Sequence, residues 1–148
     1  MYVYGKMIVA LLLIIINVYI YINTKESGKV KEIREKYRIL REHIKTTGQE
    51  EFEILRHEIP LTMYHRTRGH IGYNTNKGNE IGLCLDGNTN EIFHVLIHEL
   101  AHSTVDDYSH NKEYWTNFKK LRDMCVQLGI YKEIPNKTQF CGKHVQDK

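Results

Sequence analysis

The stretch that most constrains this chain is His98-Glu99-Leu100-Ala101-His102, set behind the apolar run Ile92-Phe93-His94-Val95-Leu96-Ile97. An apolar segment of this length, with histidines recurring every four residues, fits a buried helix. On that helix, residues four apart lie one above the other, so His98 and His102 project from the same face. Two imidazoles so placed can share one zinc ion, with Glu99 beside them near the water on the metal. Unpaired polar groups on an otherwise apolar helix are costly, and a shared metal gives three of them a purpose. The helix is expected from about Asn90 to Ser103, started by a capping box of Asn88 and Glu91. His94 continues the stripe but lies too far along the axis to complete the same site. It is read as lining a cleft or supporting the ligands.

A second constraint comes at the N-terminus. Met7 to Ile22 is apolar except for Asn17. With Tyr2-Val3-Tyr4-Gly5 ahead of Lys6, the stretch approaches the ~20 residues that cross a bilayer as helix. Tyr2, Tyr4, Tyr19 and Tyr21 stand at its ends, where amphipathic rings prefer the interface. A cleaved signal peptide would want a small-residue site after the apolar core, and Tyr19-Ile20-Tyr21-Ile22-Asn23 offers none. The expectation is a single-pass anchor through residues 2–22. Lys6 and the terminal amine precede it, whereas Lys25, Lys29, Lys31, Arg34, Lys36, Arg38 and Arg41 follow it. The positive-inside rule then leaves the remainder on the cytosolic side. Cys84, Cys125 and Cys141 are an odd, widely spaced set without a C-x-x-C pair. They are read as no disulfide framework and as suited to a reducing compartment. On that side the sequon Asn136-Lys137-Thr138 would go unused.

A chain of 148 residues is about one domain. Its net charge of +3 is too small to argue for nucleic acid. The partition expected is an anchor over 1–23, a charged helical stalk or packed helix over 24–50, and a globular domain over 51–148. Val30, Ile33, Tyr37, Leu40 and Ile44 recur at helical spacing within the second segment. Glu51 to His57 reads as a short helix, and Leu61 to Arg66 as a strand after Pro60. Gly69 to Asn79 reads as a turn region. Ile81, Leu83 and Leu85 alternate as a half-buried strand, taken as an edge to which an extended peptide can add. Cys84, on its other face, is expected to be inert packing. Ser109 is the expected cap of a following helix that ends at Gly129, with Tyr114, Phe118, Leu121, Cys125 and Leu128 as its buried stripe. Cys141 and His144 are at best a weak second metal pair.

The third zinc ligand is open among Asp106, Asp107, Glu113 and His110. Asp106 and Asp107 reach the ion only if the loop turns back at once, and Glu113 sits one turn into the next helix beside Lys112. His110 falls at the start of that helix if Ser109 caps it, with Tyr114 anchoring the turn. Neutral imidazole suits zinc, and a carboxylate such as Asp106 or Asp107 can hold its second nitrogen. His110 is therefore preferred. A metzincin would carry glycine and histidine where this chain has Val105 and Tyr108, so that subgroup is excluded.

His98 to His102 followed by Ser109-His110-Asn111-Lys112-Glu113-Tyr114-Trp115 resembles the WLM and SprT-like zinc metallopeptidases, and the bacterial YgjP-like group over the same stretch. The similarity extends to Gly72-Tyr73-Asn74, Asn76-Lys77-Gly78 and Ile81 to Leu85, then to Leu128-Gly129-Ile130-Tyr131-Lys132 and Phe140-Cys141-Gly142. In this fuller form, over roughly residues 60 to 142, it is most similar to WLM-like metallopeptidases of large DNA viruses. The resemblance implies an α+β, minimal zincin-like domain, with a small antiparallel sheet packed on the metal helix and one Zn2+ per chain. It carries over His98, His102 and His110 as ligands and Glu99 as catalytic base, with a protein or peptide as substrate. WLM and SprT-like relatives are linked to proteolysis of proteins crosslinked to DNA. This chain departs from them in having a membrane anchor and no direct nucleic-acid signature. A zinc-stabilised interaction module without activity is the competing class. Glu99 separates the two, because a purely structural zinc site has no need of it.

Overall fold

The structure is a computed structural model that describes residues 2–24, 26–65 and 69–147. Met1 of the expected anchor and Arg66 of the expected first strand lie outside them. The chain divides into two units, residues 1–31 and 32–148.

In the first unit, α1 (Tyr2–Thr24) is helical throughout. Its stretch Tyr4–Thr24 is long and apolar enough to span a membrane, with a mean hydropathy of 2.2. The side-chain amide of Asn17 donates to the Leu13 carbonyl at 2.8 Å, and Asn23 does the same to Tyr19. Each polar side chain is thus served by its own helix, one turn back.

α2 (Gly28–Thr47) passes from the first unit into the second. Ile33, Tyr37, Leu40 and Ile44 are buried, so this helix contributes to the core of the second unit, which begins well before residue 51. Glu50–Arg56 forms a 3-10 helix rather than an α-turn. Phe52, where the backbone kinks out of helical geometry, and Leu55 are its buried pair.

The sheet differs from the expected antiparallel one. It comprises β1 (Leu61–Tyr64), β2 (Gly72–Thr75) and β3 (Glu80–Cys84) in the order β1-β3-β2. β3 is parallel to β1, with Leu61 opposite Ile81, and antiparallel to β2, with Gly72 opposite Leu83. β3 is therefore the central strand, not an edge. Its backbone is paired on both sides, and Ile81, Gly82, Leu83 and Cys84 are all buried, so side chains on both faces are covered. The edge strand next to the helix of His98 and His102 is β2, drawn from the segment expected to hold a turn.

α3 (Thr89–Ser103) begins as expected. The Glu91 N–H donates to the Asn88 side chain at 3.0 Å, and the Glu91 carboxylate accepts from the Asn88 N–H at 3.0 Å. α4 (Lys112–Gln127) is capped by Asn111, not Ser109. The Asn111 side chain accepts from the Tyr114 N–H at 2.9 Å, whereas the Ser109 hydroxyl and N–H both donate to Asp107. α4 ends at Gly129, whose left-handed φ of 69° lets the chain reverse. The Gly129 N–H reaches the Val126 carbonyl and the Ile130 N–H that of Cys125, which closes a Schellman motif.

The tail holds a hairpin that the sequence pattern did not reveal, β4 (Thr138–Phe140) and β5 (Lys143–Val145). Its two-residue turn, Cys141-Gly142, has positive φ at both positions, as tight hairpins prefer. Cys84 and Cys141 form a disulfide, which corrects the expectation of unpaired cysteines. Cys84 is not inert packing, and Cys141 is not available as a metal ligand. Cys125 is a buried free thiol.

Candidate metal centre

α3 is almost wholly buried, and the exceptions along it are informative. Ile92, Phe93, Leu96, Ile97, Leu100 and Ala101 anchor it in the core, which leaves one line of histidines facing a cleft. His98 and His102 are half-buried on that line. The chain then turns at Thr104, whose hydroxyl donates back to the Ala101 carbonyl and accepts from the Asn117 side chain. The loop that follows brings His110 over the same face.

The three rings form a near-equilateral triangle. Their centroids are separated by 4.9 Å for His98 and His102, 5.0 Å for His98 and His110, and 4.7 Å for His102 and His110. The Nε2 atom of His110 lies 3.1 Å from that of His102 and 3.2 Å from that of His98. Two nitrogens at about 2.0–2.1 Å from a tetrahedral zinc stand roughly 3.3 Å apart, so this spacing fits one ion. Among the described residues, this is the one set of three His, Cys, Asp or Glu donors with all ligand atoms within 4.8 Å. Burial, aided by the neighbouring His110 and Lys77, lowers His102 to about 4 and keeps it neutral, the form that binds metal.

The acidic alternatives are arranged differently. The Asp107 carboxylate is engaged by the Ser109 hydroxyl and N–H. Asp106 and Glu113 are exposed and belong to no such donor cluster. The partner of His98's second nitrogen is a residue that the sequence marks only as a core anchor. The hydroxyl of Tyr114, which is fully buried, lies 2.7 Å from His98 Nδ1 and fixes that ring with Nε2 toward its neighbours. A tyrosine four residues after a candidate ligand, at the start of a packed helix, is the signal that could have marked it.

Glu99 is 8% exposed beside this triangle, and burial raises its carboxyl to about 7. Gly72 on β2 makes room for it. A Cβ there would come within 2.4 Å of Val95 and 3.2 Å of the Glu99 carboxylate. The cleft encloses about 390 Å³, with Ile71 and Gly72 on one wall and His144 and Val145 of the hairpin on the other. His94 lies on its floor. Its Nδ1 is 2.9 Å from the Tyr131 hydroxyl and 3.2 Å from Asp147, and the Tyr131 hydroxyl donates to Asp147 at 2.5 Å. Burial pushes the Asp147 carboxyl up, but hydrogen bonds from His94, the Ile134 N–H and Tyr131 outweigh it and hold the group below its ordinary range. His94 therefore lines the cleft and is pinned from behind.

Residues 55–148 match the WLM domain. The chain belongs to the WLM domain family. No curated protein matches it significantly. The crystal structure of Wss1 from Saccharomyces cerevisiae is similar over 47% of this chain and 59% of that one, at 22% identity and a TM-score of 0.42. The WLM match covers β1 through β5, including the histidine triangle, Glu99 and both walls of the cleft. α1 and α2 precede it.

Proposed function

We propose that this WLM protein is a zinc-dependent endopeptidase of zincin-like design, held to a membrane by α1. The observation that carries the reading is the convergence of three imidazole Nε2 atoms beside a buried carboxylate on a cleft wall. Nothing in a purely structural zinc site calls for Glu99 at that place.

His98, His102 and His110 would hold the ion and leave a fourth position open to the cleft. Zinc, when bound, acidifies a water and polarises a scissile carbonyl. Glu99 takes the proton from the attacking water and delivers it to the leaving amine. In the metal-free protein burial raises this carboxyl to about 7, which suits a group that holds and gives up a proton. Tyr114 holds the His98 ring, and the substrate's backbone has the exposed edge of β2 to pair with.

Glu99→Gln tests the chemistry. It removes the proton acceptor and retains the ligands, so zinc content and unfolding should stay at wild-type values while peptide hydrolysis falls roughly 10²–10⁴-fold. A variant as active as wild type would sink the mechanism. Loss of zinc together with activity would point instead to a structural role for Glu99.

The charge flanks of α1 favour the cytosolic face for the domain. The Cys84–Cys141 bond favours the opposite, oxidising side, where disulfides persist. Asn136 is exposed at the start of its sequon, so it reports on the question directly. Unmodified Asn136 in membranes that glycosylate a control protein supports the cytosolic placement, and a glycan there reverses it.

A further inference from the structure

We propose that Lys77 is the positioning residue for the third metal ligand, clamping the His110 loop from the β2–β3 turn. The inference rests on the zinc reading above and adds to it the device that makes the loop-borne imidazole a fixed one.

His110 stands on an exposed stretch, since Asp106, Asp107, Tyr108, Ser109 and His110 are all solvent-facing. A six-residue loop between Thr104 and Asn111 has many conformations, and few of them bring one particular nitrogen within 3.2 Å of two others. Lys77 supplies the constraint from outside the loop. Its ammonium donates to the Val105 carbonyl at 2.7 Å and to the Asp106 carbonyl, and it lies 4.6 Å from the centroid of the Tyr108 ring. One cation thus gathers Val105, Asp106 and Tyr108, three parts of the segment that leads into His110.

The clamp is itself anchored to α3. Asn74 on β2 donates from its amide to the Glu99 carbonyl at 2.8 Å and to the Ser103 hydroxyl at 2.7 Å. The same side chain accepts from the Gly78 N–H at 2.8 Å, which ties the turn to that strand. Between them, Asn76 and Lys77 hold left-handed φ values of 45° and 54°. Residues other than glycine rarely adopt this conformation and keep it where their surroundings impose it. Here the backbone geometry aims the Lys77 side chain across to the loop. The turn is thereby referenced to the helix bearing the first two ligands, and the loop bearing the third is referenced to the turn.

The experiment uses the full chain in detergent, stripped of metal and titrated with zinc against a competing chelator. Lys77→Gly is the main variant because glycine takes the left-handed conformation freely, so the turn survives while the ammonium is lost. Zinc affinity should fall by about 10–100-fold, the usual cost of removing a group that orients a metal ligand. The unfolding midpoint of the metal-free protein should hardly move. Lys77→Arg, which keeps a cation able to reach both carbonyls, should recover most of the affinity. A Lys77→Gly protein that binds zinc within about twofold of wild type would overturn the inference, as would a loss that Lys77→Arg fails to recover. His98→Ala separates this failure from a failure of the zinc reading. If His98→Ala loses tight zinc while Lys77→Gly keeps it, only the clamp is wrong. If His98→Ala also binds zinc like wild type, the metal site falls and the clamp with it.

Discussion

Two of the three imidazoles stand on α3 and the third stands on the loop after it, and the two supports could hardly differ more. α3 is fixed by its own sequence. It carries a capping box at one end, an apolar surface pressed into the core, and a period that stacks His98 over His102. The loop has almost no buried surface beyond Val105, and its shape comes from the Lys77 ammonium that reaches it from another part of the chain and from its own Ser109–Asp107 hydrogen bonds. The proposed metal site would join a rigid half, set by local rules, to a half set largely by tertiary contacts.

The comparison is tested most severely at the ligands. His98→Ala and His110→Ala should each abolish tight stoichiometric zinc after dialysis, and with it all hydrolysis. If His110→Ala alone retained one tight zinc, the loop would not be half of the site, and Glu113 would be the next residue to replace. Away from the metal, the two supports should separate. Leu100→Ala, which opens a cavity under α3, should cost about 2–5 kcal/mol in denaturant unfolding of the metal-free protein. Asn88→Ala, which removes half of the capping box, should cost about 1 kcal/mol in the same measurement. Tyr108→Ala is the smallest case. That ring is 66% exposed, so stability should stay within ~0.5 kcal/mol of wild type. A Tyr108→Ala protein as unstable as Leu100→Ala would show that the loop belongs to the core after all.

The same division explains what the sequence disclosed. The start of α3, the His98/His102 stripe, the apolar face of α4 and its end at Gly129 follow from spacing and capping chemistry, and they were legible. β1 and β3 were legible as strands, but β2 and the pairing of the three were not, because a four-residue strand carries little periodicity and strand order leaves no local trace. Ile81, Leu83 and Leu85 do alternate with small residues, but those small residues are buried too, so β3 reads as an edge although it is paired on both sides. Ser109 looked like a cap as well as Asn111 does, and only the Asp107 side chain, which takes both Ser109 donors, decides between them. The Cys84–Cys141 pairing spans 57 residues and leaves no local trace. Tyr114 was legible as a buried residue but not as the partner of His98, since that role depends on how α3 and α4 are placed side by side.

That cysteine pair has one more consequence. Residues 84 to 141 form a covalently closed ring, and α3, the ligand loop and α4 all lie inside it. A protein with an exposed loop beside a cleft is open to being nicked there by a protease. In this molecule a single cut between Val105 and His110 would release nothing. The two fragments would remain one species under oxidising conditions and part only when a thiol reductant is added. Damage of that kind would stay hidden in any assay of size that leaves the disulfide intact.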